Sequence, residues 1–252
     1  PDTVIPLAWL LLRGDTIGLI SFNSKGNGHM GFLDRFLGPK KIKDLSPSIQ
    51  PAQLRKRVKI VVIDDEEESF PYKLLQDDGY TIEWWERVDS HKLQRLENGD
   101  FDIIILDIQG VADHKLSSSD GIDVLKRIKS VNKHQIVVAF SGHSYDLSKT
   151  AFWRLADDAL NKPVTVIKCK ELLDRLIQEK ITLSNYWNAI VELMRANGVS
   201  ERTSRRIEKE IVAGLTGQKK VDLEGLRNRV FGSLQNSAAI VTLVDAMVRL
   251  WS

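Results

Sequence analysis

Two runs of this chain, 58–63 and 101–106, are apolar almost without interruption, broken only by Lys59 in the first and Asp102 in the second, and each is followed directly by aspartate. A strand with one face in water alternates apolar and polar residues. A strand that does not alternate is buried on both faces, as in a parallel sheet covered by helices on each side. The rest of the central sequence supplies that cover. Helical spacing occurs at 69–78, closed by Gly79, at 91–97, closed near Asn98-Gly99, and at 122–131, 147–156 and 167–180. Strand-like segments lie at 81–88, 135–140 and 159–161. Strands alternating with helices in this way predict an α/β fold, a five-stranded doubly wound parallel sheet. In the second strand Trp84 and Trp85 are adjacent, so one ring should face the core and the other the surface.

The flanks read differently. The segment 1–56 is expected to be a leader and linker, 57–180 the α/β unit, and 181–252 an all-α domain. Within the first segment, Met30 is the first methionine, and we expect the native start there, with leader or vector-derived sequence before it. Phe32, Leu33, Phe36 and Leu37 share one face of a short amphipathic helix, expected to dock on the protein rather than touch a membrane. Residues 38–56 hold three prolines and many Lys and Arg and read as a linker. The apolar run 4–12 is too short to span a bilayer and follows Asp2 rather than a basic start. The single cysteine, Cys169, rules out an intramolecular disulfide and fits a reducing compartment. A soluble, cytoplasmic protein is expected.

Net charge is only +2, but it is unevenly spread. Residues 57–180 carry 18 Lys/Arg against 23 Asp/Glu, whereas 1–56 carry 8 against 4 and 181–252 carry 10 against 7. An acidic centre between mildly basic flanks suggests cation binding in the α/β unit. Ligands of open parallel sheets bind at the carboxyl ends of the strands, so the last residue of each strand reads the site. The first strand ends in Asp64-Asp65, the third in Asp107, the fourth in Ser141, and the fifth in Lys162-Pro163. Three carboxylates at one end of a sheet repel one another unless a hard cation such as Mg²⁺ neutralises them. A lysine and a hydroxyl opposite suit the oxygens of a phosphoryl group, whose transfer needs mainly positioning and charge neutralisation. Taken singly, the same residues have plainer readings: Asp64-Asp65 as a helix N-cap, Lys162 as a solvated cation, Ser141 as a turn residue.

These segments resemble the receiver domain of two-component response regulators, a chemotaxis-regulator-like, flavodoxin-like fold. The resemblance rests on Val61-Val62-Ile63-Asp64-Asp65, Phe101-Asp102-Ile103-Ile104-Ile105-Leu106-Asp107, Asp120-Gly121, Phe140-Ser141-Gly142, and Ala156-Asp157-Asp158-Ala159-Leu160-Asn161-Lys162-Pro163, in that order. It covers about half the chain and implies that Asp107 accepts a phosphoryl group from a sensor histidine kinase or phosphotransfer protein. It further implies that Asp65 binds Mg²⁺ directly, Asp64 binds it through water, and the Gln109 carbonyl is another ligand. Ser141 and Lys162 are implied to contact the phosphoryl oxygens, and the bond before Pro163 to be cis. Such a receiver is no enzyme in the wider sense, since it catalyses only its own phosphoryl transfer and dephosphorylation. Three departures concern signal output. The family's Met-Pro pair after the acceptor is missing, and the loop from Asp107 to Asp120 is about six residues longer than usual. Ala159 also stands where the family carries an aromatic switch residue. Since alanine has no rotamer to switch, coupling is expected to run instead through 110–119.

Beyond residue 180 the family resemblance ends, and the C-terminal domain is not identified by motif. Helical spacing occurs at 183–196, 201–215, 223–235 and 238–251. Between Leu172 and Met194 no Pro or Gly intervenes, which would allow one continuous rod. The last helix is apolar almost all round and must be buried, in a bundle or across a dimer interface. A helical protein-interaction or homodimerisation domain is therefore the first reading of the output. The alternative is a DNA-binding transcriptional regulator. The turn at Gly198 and the basic helix bearing Arg202, Arg205, Arg206 and Lys209 suggest a helix-turn-helix, whereas Asn197 and Ser204 and the small excess of charge argue against it.

Overall fold

The computed structural model describes residues 41–45, 49–113, 120–142, 154–218, 221–226, 228 and 237–251. Residues 40–252 form one compact unit. Residues 1–40 lie outside the described residues, as does the short helix expected at 32–37.

Five parallel strands make the sheet: β1 (Lys59–Ile63), β2 (Thr81–Trp85), β3 (Ile103–Asp107), β4 (Ile136–Ser141) and β5 (Asp158–Asn161), in the order β2-β1-β3-β4-β5. The apolar runs behave as their patterning requires. Ile60 to Ile63, Ile103 to Leu106 and Val137 to Phe140 are all fully buried. Side chains alternate between two separate cores, Ile60, Val62, Ile103 and Ile105 on one face and Val61, Ile63, Ile104 and Leu106 on the other. The tryptophan pair divides as expected, with Trp85 buried and Trp84 half-exposed.

Helices cover both faces: α1 (Pro51–Arg57), α2 (Tyr72–Asp77), α3 (Ser90–Asn98), α4 (Gly121–Val131) and α5 (Val166–Glu179). The helix expected at 147–156 falls almost entirely outside the described residues. Within 38–56, α1 and a 3-10 turn at Ile42–Asp44 replace the expected linker. Ile42 is 1% exposed in the sheet's core, and Arg55 on α1 grips Asp174 on α5 through two hydrogen bonds, the first of 2.7 Å. The prolines that suggest a linker act otherwise, since Pro51 opens a helix at a position where its missing N–H costs nothing.

Among the described residues four helices follow: α6 (Leu183–Ala196), α7 (Glu201–Leu215), α8 (Leu223–Leu226) and α9 (Ser237–Trp251). The continuous rod is not formed. The chain breaks at Lys180 to Thr182, where the Thr182 side chain accepts from Asn185 N–H and Asn185 Nδ2 donates to the carbonyls of Glu179 and Lys180, each at 3.0 Å. Side-chain capping thus ends one helix and starts the next without Pro or Gly.

The core on one sheet face continues into these helices as a single cluster, from Ile60 and Phe140 through Leu176 and Ile190 to Met247 and Trp251. The apolar α9 packs against α6, α7, α3 and α1 of its own chain. Ile240, Met247 and Leu250 are fully buried and Val244 nearly so, and each such side chain stabilises by about 1.5–3 kcal/mol. Most of its apolar circumference is therefore covered within the chain, with Val241, Leu243 and Val248 half-buried. The seam is also polar at one point. The Asp102 side chain, at the start of β3, is 3% exposed and accepts from Arg249 of α9 at 2.9 Å to both oxygens, from Tyr186 Oη of α6 at 2.9 Å, and from Lys59 N–H at 2.8 Å.

Candidate functional site

The strand order reverses direction between β1 and β3, and there the carboxyl ends of adjacent strands leave a crevice. The residues singled out from the sequence meet in it. Asp65, Asp107, Gln109, Ser141 and Lys162 line one cavity of about 570 Å³, together with Glu66, Glu68 and Ser69. Asp64 lies fully buried beneath it. Oxygens of Asp64, Asp65 and Asp107 all approach within 4.8 Å of one another.

Each carboxylate is held differently. Asp64 accepts from Glu66 N–H at 2.9 Å and from the Ser69 hydroxyl. Asp107 Oδ1 accepts from Ile108 N–H at 2.6 Å, which leaves Oδ2 toward Lys162. Asp65 is exposed and makes no hydrogen bond or ion pair among the described residues. Lys162 Nζ lies 2.7 Å from Asp107 Oδ2 and 2.8 Å from Asp64 Oδ2, and sits 5.0 Å above the Phe140 ring. Burial pushes the Asp107 pKa up, against the lowering effect of Lys162. For Lys162, burial opposes the charge, but the hydrogen bonds to Asp107 and Asp64 outweigh it and raise its pKa. The ammonium is therefore retained. The Lys162-Pro163 bond is cis, as the resemblance implies.

Three carboxylates against one ammonium leave an excess of two negative charges in a largely buried crevice, which is costly without a further cation. The donor set fits a hard divalent ion: oxygens only, an unpartnered Asp65, and a neighbouring backbone turn. That turn is built for close approach. Gly110 has φ +75°, and a Cβ there would stand 2.1 Å from Asp65 Oδ2. A Cβ on Gly121 would stand 2.2 Å from the Asp107 carbonyl.

Sequence reasoning missed one organising residue. Asp120, itself at φ 55°, accepts from the N–H groups of Gly110, Val111 (2.9 Å) and Ala112 (2.7 Å). It pins the chain leaving the acceptor strand, which is also tied to β2's exit by Val88 N–H donating to the Val111 carbonyl at 2.7 Å. Asp120 is visible only as part of a family segment, because a contact spanning ten residues of loop leaves no periodic signal. Of the loop expected to move, 110–113 is anchored in this way and 114–119 lies outside the described residues. Ala159 is exposed on β5.

Residues 60–175 match the family model of the response regulator receiver domain. The chain carries a response regulator receiver domain. No curated protein matches the chain. Among solved structures, a CheY-like receiver from Methanospirillum hungatei is 18% identical, with 49% of this chain and 96% of that one covered, at a TM-score of 0.42. NtrX from Brucella abortus is 26% identical over 49% of this chain and 27% of its own, at a TM-score of 0.41. The regulator TrrA from Thermotoga maritima, solved with Mg(2+)-BeF, is 25% identical over 47% of this chain and 98% of its own, at a TM-score of 0.39. The receiver's match stops at residue 175, so the helices from α6 onward lie outside it.

Proposed function

We propose that this protein is a response regulator phosphorylated on Asp107 by a sensor histidine kinase or a phosphotransfer protein, with its output carried by the C-terminal helices. The observation that carries the reading is the convergence of Asp107 Oδ2 and Lys162 Nζ at 2.7 Å beside two further carboxylates. Asp107 Oδ2 attacks the phosphorus of the donor. The new bond is Oδ2–P, and the bond to the donor's nitrogen or oxygen breaks with its electron pair leaving on the donor. Ile108 N–H holds the other oxygen and so fixes the carboxylate plane. Lys162 neutralises charge on the phosphoryl oxygens, and the Ser141 hydroxyl, on the cavity wall, hydrogen-bonds to another. Asp65, Asp107, Asp64 and the Gln109 carbonyl would hold Mg²⁺, which when bound would neutralise the incoming phosphoryl charge. The chemistry is confined to the receiver's own modification and its reversal.

Among the described residues no helix is long and apolar enough to cross a membrane. Most of the cover that the α9 sequence asks for is supplied inside the chain, by α6, α7, α3 and α1. The test of the function is labelling by a small phosphodonor with Mg²⁺. Wild type should take up one phosphoryl group and Asp107→Asn none. Equal labelling of the variant would refute the assignment.

A further inference from the structure

The solvent face of α7 carries a stripe of cations. Its packed side is marked by Ile207, Ile211 and Val212, all buried. At 100° per residue, Arg202, Arg205, Arg206 and Lys209 cluster on the opposite side, and all four are exposed. They span about 10 Å along the axis at 1.5 Å per residue. The helix's acids mostly do not offset them. Glu208 is turned inward to accept from Ile42 N–H at 3.2 Å, and Glu210 is half-buried. Among the described residues only Glu201 pairs with the stripe, meeting Arg205 at 2.6 Å where both side chains are at least 70% exposed, so this pair is weak and easily exchanged. Arg202, Arg206 and Lys209 have no ion pair among the described residues. The α6–α7 unit presents the stripe firmly. The two helices join through the short turn at Gly198, φ +73°, and Ser200 caps α7 by accepting from Thr203 N–H at 3.2 Å.

We infer that the outer face of α7 docks on the phosphodiester backbone of a duplex nucleic acid. Charge complementarity selects a polyanion. Three of the four cations are arginine, whose planar fork pairs with phosphate oxygens in two hydrogen bonds at once. A lipid surface is disfavoured, because an interfacial helix inserts large apolar side chains and this outer face offers only Ala213. Asn197 and Ser204, which argue against a helix-turn-helix on sequence, are accommodated. Asn197 Nδ2 donates to the Leu193 carbonyl at 2.8 Å, and Ser204 Oγ bonds back to the Ser200 carbonyl at 3.3 Å. The inference takes α6–α9 as the output half of the proposed regulator, yet the binding itself needs no phosphoryl group, so the two readings fail separately.

The experiment uses the full chain, unphosphorylated, titrated into a fluorescent mixed-sequence DNA duplex of about 20 base pairs, with anisotropy read over a salt series. Three to four phosphates neutralised should give a log–log salt slope of about −3. Arg202→Ala/Arg206→Ala/Lys209→Ala should lose at least about tenfold in affinity at low salt and flatten the slope to about −1. Lys126→Ala/Lys168→Ala, which removes exposed charge on the receiver helices α4 and α5, should bind as wild type, and melting curves should be alike for all three proteins. No binding at low salt, equal binding by the triple variant, or binding to phosphatidylserine-containing vesicles in place of the duplex would each overturn the inference.

Discussion

Replacing Arg249 by methionine tests whether the C-terminal helices belong to the receiver's cooperative unit. Arg249 contributes both oxygens' worth of pairing to Asp102, whose side chain is 3% exposed, and Arg249 is itself 24% exposed. Methionine keeps much of the stem's packing but leaves a buried carboxylate with only Tyr186 Oη and Lys59 N–H. Breaking one partner of a buried ion pair costs about 3–5 kcal/mol, and the two surviving donors place the expected loss near the lower end, about 3 kcal/mol. For a unit of this size each kcal/mol moves the melting temperature by about 2–4 °C, so a fall of roughly 6–12 °C is expected. Tyr186→Phe, which removes one hydrogen bond to a charged acceptor, should cost about 1.5–3 kcal/mol. Adding Asp102→Asn to Arg249→Met should recover part of the loss, because the stranded charge is gone. The assay is thermal unfolding followed by both far-ultraviolet circular dichroism and tryptophan fluorescence. A shift below 2 °C, or two separate transitions with the receiver's unchanged, would refute the reasoning and make the C-terminal helices an independent domain.

Gly110→Ala should abolish Mg²⁺ binding by isothermal titration, or weaken it more than tenfold, since the added methyl meets Asp65 Oδ2 at 2.1 Å and the residue is at φ +75°. His134 Nε2 lies 3.0 Å from Glu192 Oε2, near enough to pair but not aligned as a hydrogen bond. Burial nonetheless lowers the His134 pKa from 6.5, with Lys133 and Lys129 helping and Glu192 opposing. The unfolded chain then binds this proton more readily, so stability is full above 6.5 and declines as pH falls below it. His134→Asn should flatten that part of a melting-temperature profile, and an unchanged slope would contradict it. Removing 238–252 strips the buried Ile240, Val244, Met247, Leu250 and Trp251 from the shared core, and should yield aggregated protein by light scattering.

The sheet was legible because burial on both faces removes polar alternation from β1 and β3, and strand ends then point to Asp64, Asp65, Asp107, Ser141 and Lys162 without further information. α7 was legible to the residue because Ser200 stands at its N-cap. Three things were not. The break at Lys180 to Thr182 depends on side-chain capping rather than on Pro or Gly. Residues 38–56 read as a linker because composition does not report that Ile42 and Arg55 find partners more than a hundred residues away. The pairing of Asp102 with Arg249 joins residues 147 apart, and a lone aspartate inside an apolar run carries no sign of its partner.

Chemical trapping of the modified residue tests the central claim most directly. The protein is incubated with acetyl phosphate and Mg²⁺, the acyl phosphate is reduced with borohydride, and the peptides are read by mass spectrometry. An aspartyl phosphate is converted to homoserine at the position that carried it. The account predicts conversion at residue 107 alone, dependent on Mg²⁺ and absent in Asp107→Asn. Conversion at residue 64 or 65, or a phosphate that resists borohydride and maps to Ser141, would contradict it.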